Sequence, residues 1–276
     1  MNEDERSVWV RDFRWNTYEN QQTAKLLASD LEYALSKGAL ELYYQPQVKR
    51  DGTLYGCEAL LRWNYMGQGF VYPPLIIALA VQGDFIGTLG MYIVEKACRD
   101  MAGARTQAGC PVSFSVNILP LELEDPSFAD QVLKILKDTG VEGSNLTIEL
   151  TEQVALNPGP NLERQLEKLR ESRVRISMDD FGMGHGSLNY LNSAHYDEVK
   201  IDGSLIRRLP EHTQTCELVG NIMNMSRILG VNTVAECVET PEQIQMLEKL
   251  GCSIYQGYYY SRPLPRDAFI EYVKGL

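Results

Sequence analysis

The sequence predicts a (β/α)8 TIM-like barrel whose first strand is antiparallel to the others, and three observations carry that prediction. Strand-like runs alternate with helical patterns through most of the 276 residues, which is the size and rhythm of a barrel. No shift in composition inside that stretch would serve as a linker. The first two strands are joined by a short turn around Asp51-Gly52, which permits an antiparallel hairpin and excludes a crossover helix.

Residues 1–22 carry mixed charge and scattered aromatics (Trp9, Phe13, Trp15, Tyr18) without a clean period, so we expect a connector there and the barrel over 23–276. Leu26, Leu27, Leu31, Ala34 and Leu35 then recur at helical spacing up to Gly38. Leu40–Pro46 and Leu54–Trp63 read as the first two strands. Met91, Val94, Ala97, Cys98 and Met101 mark one helix face, followed by the alternating strand Val112–Asn117. Asp125-Pro126 is expected to start a helix with Phe128, Val132, Ile135 and Leu136 inward, stopped by Gly140. Leu146–Leu150 is the next strand, and Leu162, Leu166 and Leu169 the next helix. The run from Val174 ends in Asp179-Asp180 and a glycine-rich loop, with a short helix expected from Ser187 and a strand over Asp197–Asp202. A helix through Leu218, Ile222, Met225 and Leu229 stops at Gly230, ahead of the strand Val231–Glu236. Thr240, Pro241 and Gln243 form a capped start for a helix that Gly251 ends, and Ser253–Gln256 is the last strand.

Composition excludes several functions. A net charge of −11 disfavours a nucleic-acid polymer as partner, because counterion release needs a basic surface. The cysteines at 57, 98, 110, 216, 237 and 252 lack C-x-x-C spacing and the histidines are only 185, 195 and 212, which argues against zinc and for reduced thiols. The longest notable apolar run, Pro74–Val81, is too short to span a membrane, and the N-terminus reads as neither leader nor anchor. A cytoplasmic location is expected.

In such a barrel the working residues gather at the C-terminal strand ends. There the sequence supplies Asn117, Glu149, Asp179, Asp180, Lys200, Asp202, Glu236 and Gln256, with Glu58 inside the second strand. Carboxylates crowded together repel and take up protons unless cations hold them ionised. An oxygen-only set points to a hard ion, Mg²⁺ or Mn²⁺, and its size suits two ions, the usual device for phosphoryl transfer. Lys200 beside the acids suits orientation of an attacking water, with a plain structural ion pair as the other reading.

The chain also resembles the EAL-domain phosphodiesterases that cleave cyclic di-GMP. The resemblance rests on Glu58-Ala-Leu-Leu-Arg-Trp63, Tyr44-Gln-Pro46, Ser115-Val-Asn117, Glu149-Leu-Thr-Glu152, Asp179-Asp-Phe-Gly182, Val199-Lys-Ile-Asp202, Val234-Ala-Glu236, Val238-Glu-Thr240 and Gln256-Gly-Tyr258 through Ser261-Arg-Pro-Leu264. It implies that Glu58, Asn117, Glu149 and Asp179 hold one ion and that Asp179, Asp180 and Glu236 hold the second. Lys200 would sit against the attacking water, and Gln45, Arg62, Glu239 and Gln256 would hold the substrate. Glu152 would anchor the loop after the aspartates. The implied reaction opens one phosphodiester bond of cyclic di-GMP to give linear pGpG, in a homodimer, in chains that often carry a sensory or GGDEF domain.

This sequence departs from the family pattern in the 182–187 loop, at Met183, His185 and Gly186. The bulkier thioether and the added glycine change packing and loop entropy without removing a ligand. The alternative function is therefore a cyclic di-GMP receptor that binds without cleaving, and a scaffold that does neither is the third. His185 is expected to be solvent-exposed rather than a ligand. Alternation expects Cys57 and Cys237 to face away from Glu58 and Glu236.

Overall fold

The computed structural model describes residues 18–67, 69–109, 112–152, 160–182 and 196–276. In chain order the elements are α1 (Tyr18–Ser36), β1 (Glu41–Lys49), β2 (Leu54–Arg62), α2 (Pro73–Gln82), α3 (Ile86–Ala108), β3 (Phe114–Asn117), α4 (Phe128–Thr139), β4 (Leu146–Thr151), α5 (Pro160–Glu171) and β5 (Arg175–Phe181). They continue as β6 (Glu198–Ile201), α6 (Gly203–Ile206), α7 (Thr213–Leu229), β7 (Asn232–Ala235), α8 (Pro241–Leu250), β8 (Ile254–Gln256), β9 (Leu264–Pro265) and α9 (Arg266–Lys274).

β2 through β8 run parallel in sequential order, and β1 closes the ring antiparallel to both β2 and β8. This is the predicted barrel, first strand reversed. The two-residue β9 extends the pairing along the edge of β1 that β8 begins, with Tyr44 opposite Leu264.

Strand alternation builds two surfaces from one sequence pattern. Phe114, Val116, Ile148, Leu150, Ile176, Met178, Val199 and Ile201 are buried, on the outer face under the helices. The intervening residues face the barrel axis and are polar. In-register rows such as Glu58–Ser115–Thr147 and Asn117–Glu149–Ser177–Glu198 follow from the parallel pairing. A hydrogen-bonded cluster closes the barrel end away from the site: Tyr55 donates to Glu198 at 2.8 Å, Ser177 donates to the other Glu198 oxygen at 3.2 Å, and Arg175 and Asn232 each donate to the Tyr55 hydroxyl at 3.3 Å.

Helix ends follow the expected chemistry, with one shift. Thr240 and Gln243 form the reciprocal capping box at the start of α8, and Gly140, Gly230 and Gly251 end α4, α7 and α8 in left-handed conformation. Asp125, expected as a cap, instead accepts from the Ser127 N–H and hydroxyl at 2.8 Å each. That local turn captures the N–H two residues on, so α4 begins only at Phe128. The sequence reading did not assign α2, α6, β9 or α9. Of the connector expected over 1–22, residues 1–17 lie outside the described residues, as does the helix expected from Ser187, while Tyr18–Gln22 form the start of α1 instead of a connector. Among the described residues no helix is long and apolar enough to cross a membrane.

One buried acid outside the site ties the loop after β3 to α3. Glu122 accepts the Leu119 N–H at 2.8 Å, while its other oxygen is buried without a hydrogen bond, and a Cβ at Gly90 would fall 1.5 Å from it. Burial pushes its carboxyl up from 4.5 to about 7, against the opposing pull of the Leu119 N–H. A carboxyl raised in the folded state contributes stability fully present below the unfolded value and lost as pH rises through the folded one. Glu122→Gln is therefore expected to match wild type in urea unfolding near pH 5. Near pH 8 it should be more stable by about 2 kcal/mol; an equal gap at both pH values would refute this.

Candidate active site at the C-terminal end of the barrel

Lys200 is the centre of the site. It lies on β6, two residues after Glu198 and on the same inward face, and it is fully buried. Its ammonium lies 2.7 Å from Glu236, 2.9 Å from Glu149, 3.2 Å from Glu58 and 3.4 Å from Asp179. Burial alone would lower the lysine, but the carboxylates of Asp179, Glu149, Glu236 and Glu58 outweigh it and hold the ammonium well above its ordinary range.

The acids around this one ammonium are not shifted alike. Burial pushes Glu149 well up, with Glu58 and Asp179 adding to the shift against Lys200. Glu236 is raised to about 8 by burial, with Asp179 and Glu58 adding and Lys200 opposing. Glu58 goes the other way: burial works to raise it, but Lys200 and hydrogen bonds from Gln256 at 2.6 Å and Asn117 at 2.8 Å bring it below its usual value.

Adjacent strand residues normally point to opposite faces, so Asp179 and Asp180 could share a site only if the strand is broken between them. It is: the β5–β6 register shifts between Met178 and Phe181, and Asp180 adopts a φ of 56°. Asp179, Asp180 and Glu236 then each bring a carboxylate oxygen within 4.8 Å of the others. Asp180 is raised by partial burial, then by Asp179 and Asp202. The Gly182 N–H donates to Glu152 at 3.3 Å, which ties the start of the following loop to the end of β4. Met183, His185 and Gly186 lie outside the described residues.

The donor set fits hard divalent cations. Asp179 Oδ1 and Glu149 Oε1 are buried and make no hydrogen bond, although Asp179 Oδ1 is the atom facing Lys200. Oxygen lone pairs without donors, beside a three-carboxylate cluster, are what such an ion requires.

The amide residues form a connected chain. Gln47 donates to Gln256 Oε1 at 3.0 Å, Gln256 donates to Glu58 and at 3.3 Å to Gln45, and Gln45 donates to the Ser261 carbonyl at 3.2 Å. Gln47 was missed in the sequence, although alternation along β1 places it on the face of Gln45. Arg62 sits at the outer end of β2 with its guanidinium 5.6 Å from the Tyr43 ring centroid. Glu239 is exposed between β7 and α8, its backbone N–H held by Gln243 at 2.8 Å. Asp202 caps α6 by accepting from the Ser204 N–H at 2.8 Å. Cys57 is buried away from Glu58, as alternation expects. Cys237 lies beyond the end of β7 with a φ of 53°, so alternation does not govern it; a Cβ at Gly203 would lie 2.4 Å from its sulfur.

A family model described as the EAL domain matches residues 28–263. The chain belongs to the EAL domain family. This EAL domain is 36% identical over 243 residues to the oxygen sensor protein DosP of Escherichia coli (strain K12), covering 88% of this chain and 30% of DosP. It is 34% identical over 249 residues to the cyclic di-GMP phosphodiesterase NbdA of Pseudomonas aeruginosa, covering 90% of this chain and 32% of NbdA. The chain thus spans about a third of the length of these curated relatives. Among solved structures, the PaMucR phosphodiesterase in complex with c-di-GMP superposes with a TM-score of 0.83 at 34% identity, covering 88% of this chain and 99% of that one. The EAL enzyme Bd1971 superposes with a TM-score of 0.86 at 27% identity, covering 92% of this chain and 71% of that one. The barrel and family expected from the sequence are therefore both borne out.

Proposed function

We propose that this EAL domain hydrolyses one phosphodiester bond of cyclic di-GMP, releasing linear pGpG and lowering the level of the messenger. The observation that carries the reading is a buried lysine ammonium shared by four carboxylates, next to the Asp179–Asp180–Glu236 cluster. The cyclic di-GMP phosphodiesterases among its relatives supply the substrate.

In this reading Glu58, Asn117, Glu149 and Asp179 hold one Mg²⁺ or Mn²⁺, and Asp179, Asp180 and Glu236 hold a second. Ions held by these residues would supply Lewis-acid chemistry, polarising the phosphodiester and lowering the pKa of water at the site. Lys200 hydrogen-bonds the attacking oxygen and offsets the negative charge that grows on the phosphoryl group. Gln256 and Gln45 present amide groups to the substrate, with Arg62 and Glu239 at the rim. The low-dielectric floor under Lys200 strengthens each of these interactions. Glu152 serves as the loop anchor through its hydrogen bond from Gly182, the last described residue after β5. We place the protein in the cytoplasm as a homodimer, with the residues ahead of α1 as the connector to a sensory or GGDEF partner domain.

The test is incubation of purified protein with cyclic di-GMP and Mg²⁺ or Mn²⁺ over a range of protein concentrations. Formation of pGpG is expected, with specific activity rising as dimer forms. Product no greater than from a Glu58→Ala control overturns the reading, and tight binding without product assigns the domain as a receptor.

A further inference from the structure

We infer that Gln47 is a positioning residue that fixes the amide polarity of Gln256 and Gln45, and so decides which hydrogen-bonding groups the pocket shows. The inference rests on the proposed hydrolysis for its activity readout and on geometry for its argument. Gln47, Gln256 and Gln45 are all buried, at 3%, 4% and 8% exposure, so water does not satisfy their amides. Glu58 already accepts from Lys200 at 3.2 Å and from Asn117 at 2.8 Å, and it accepts from Gln256 at 2.6 Å. Gln256 must therefore turn its NH₂ toward Glu58, which leaves its oxygen facing Gln47.

That oxygen needs a donor, and Gln47 Nε2 is the one it has, at 3.0 Å. With Gln256 so oriented, its NH₂ also reaches Gln45 Oε1. Gln45 is then left to donate to the Ser261 carbonyl and to present its NH₂ edge. The donors of Gln47, Gln256 and Gln45 all point the same way, toward the Ser261 carbonyl, and Glu58 and Gln47 together hold that direction, one at each side of the Gln256 amide. Room for this residue is built in. Gly56 is its partner on β2, and a Cβ there would press on Gln47 Oε1 at 3.3 Å and on the Ser113 carbonyl at 2.9 Å.

A side chain without a donor at position 47 leaves the Gln256 oxygen buried and unpaired. A side chain that only accepts inverts the Gln256 amide and points its oxygen at the Glu58 carboxylate, which is worse. Gln47→Met is expected to lower kcat/KM about 10-fold, with a fall in melting temperature of no more than the few degrees that one unpaired buried oxygen costs. Gln47→Glu should lower it further near neutral pH. The gap to wild type should close toward about pH 5, where the introduced carboxyl takes up a proton and can donate again. In a Gln256→Met background, Gln47→Met should add less than about 2-fold, since its target is gone.

Equal, pH-independent losses in the two Gln47 variants would overturn the inference and leave Gln47 as filler beneath the site; so would an undiminished loss in the Gln256→Met background. Wild type is assayed in parallel. If it makes no pGpG, the hydrolysis reading fails by itself, and the same pattern is then sought in cyclic di-GMP affinity by calorimetry.

Discussion

Lys200→Met is expected to reduce hydrolysis about 1,000-fold and also to destabilise the cation-free protein. The two effects share one cause. The ammonium lies within 3.4 Å of Glu58, Glu149, Asp179 and Glu236, and it offsets the mutual repulsion of acids that have no other cation close by among the described residues. Removing one member of a buried ionic cluster costs about 3–5 kcal/mol, because the partners stay buried and uncompensated. Added Mg²⁺ or Mn²⁺ should restore the melting temperature of the variant by more than it raises that of wild type. With the ions held as proposed, the ammonium and the divalent ions would compete for the same oxygens in wild type and would not in the variant. Thermal unfolding in EDTA and in excess cation checks this; identical cation-induced shifts in the two proteins would refute the competition.

Asp179→Asn should separate function from stability in the opposite sense. Hydrolysis is expected to fall about 100- to 1,000-fold, since both proposed ion positions use this residue. The melting temperature in EDTA is expected to hold or rise. Asp179 is among the groups that push Glu149, Glu236 and Asp180 upward, so an isosteric neutral side chain relieves repulsion, and three other carboxylates still hold Lys200. Calorimetric unfolding in EDTA, with a cation titration of the same sample, reads both halves. A fall of many degrees would assign Asp179 to the scaffold instead.

These two residues also mark how far the sequence could be read. Lys200 was legible because strand alternation puts it inward, at a strand end crowded with acids. The Asp179-Asp180 pair was legible as chemistry but not as geometry. Two neighbours on a regular strand face apart, and only the register shift before Phe181 and the left-handed Asp180 turn them to one side. Gln47 went unnoticed because its meaning depends on Gln256, 209 residues away in sequence. Helix α2 was missed because Pro74–Val81 is apolar almost all round and shows no polar face at helical spacing. The short α9 is held by long-range contacts: Phe269 against the Tyr44 ring at 5.5 Å, and Arg266 with Asp100 at 3.4 Å.

The sequence by itself determined the barrel, the reversed first strand and the set of oxygen-bearing side chains, because period-2 alternation, turn length and helix caps are local properties of the chain. Tertiary structure alone decided which of those acids share one ammonium, which of them are pushed above the ordinary carboxylate range, and which way the buried amides point. Those outcomes depend on distances of a few ångströms between strands far apart in sequence, in an interior where charge is weakly screened and every donor needs an acceptor.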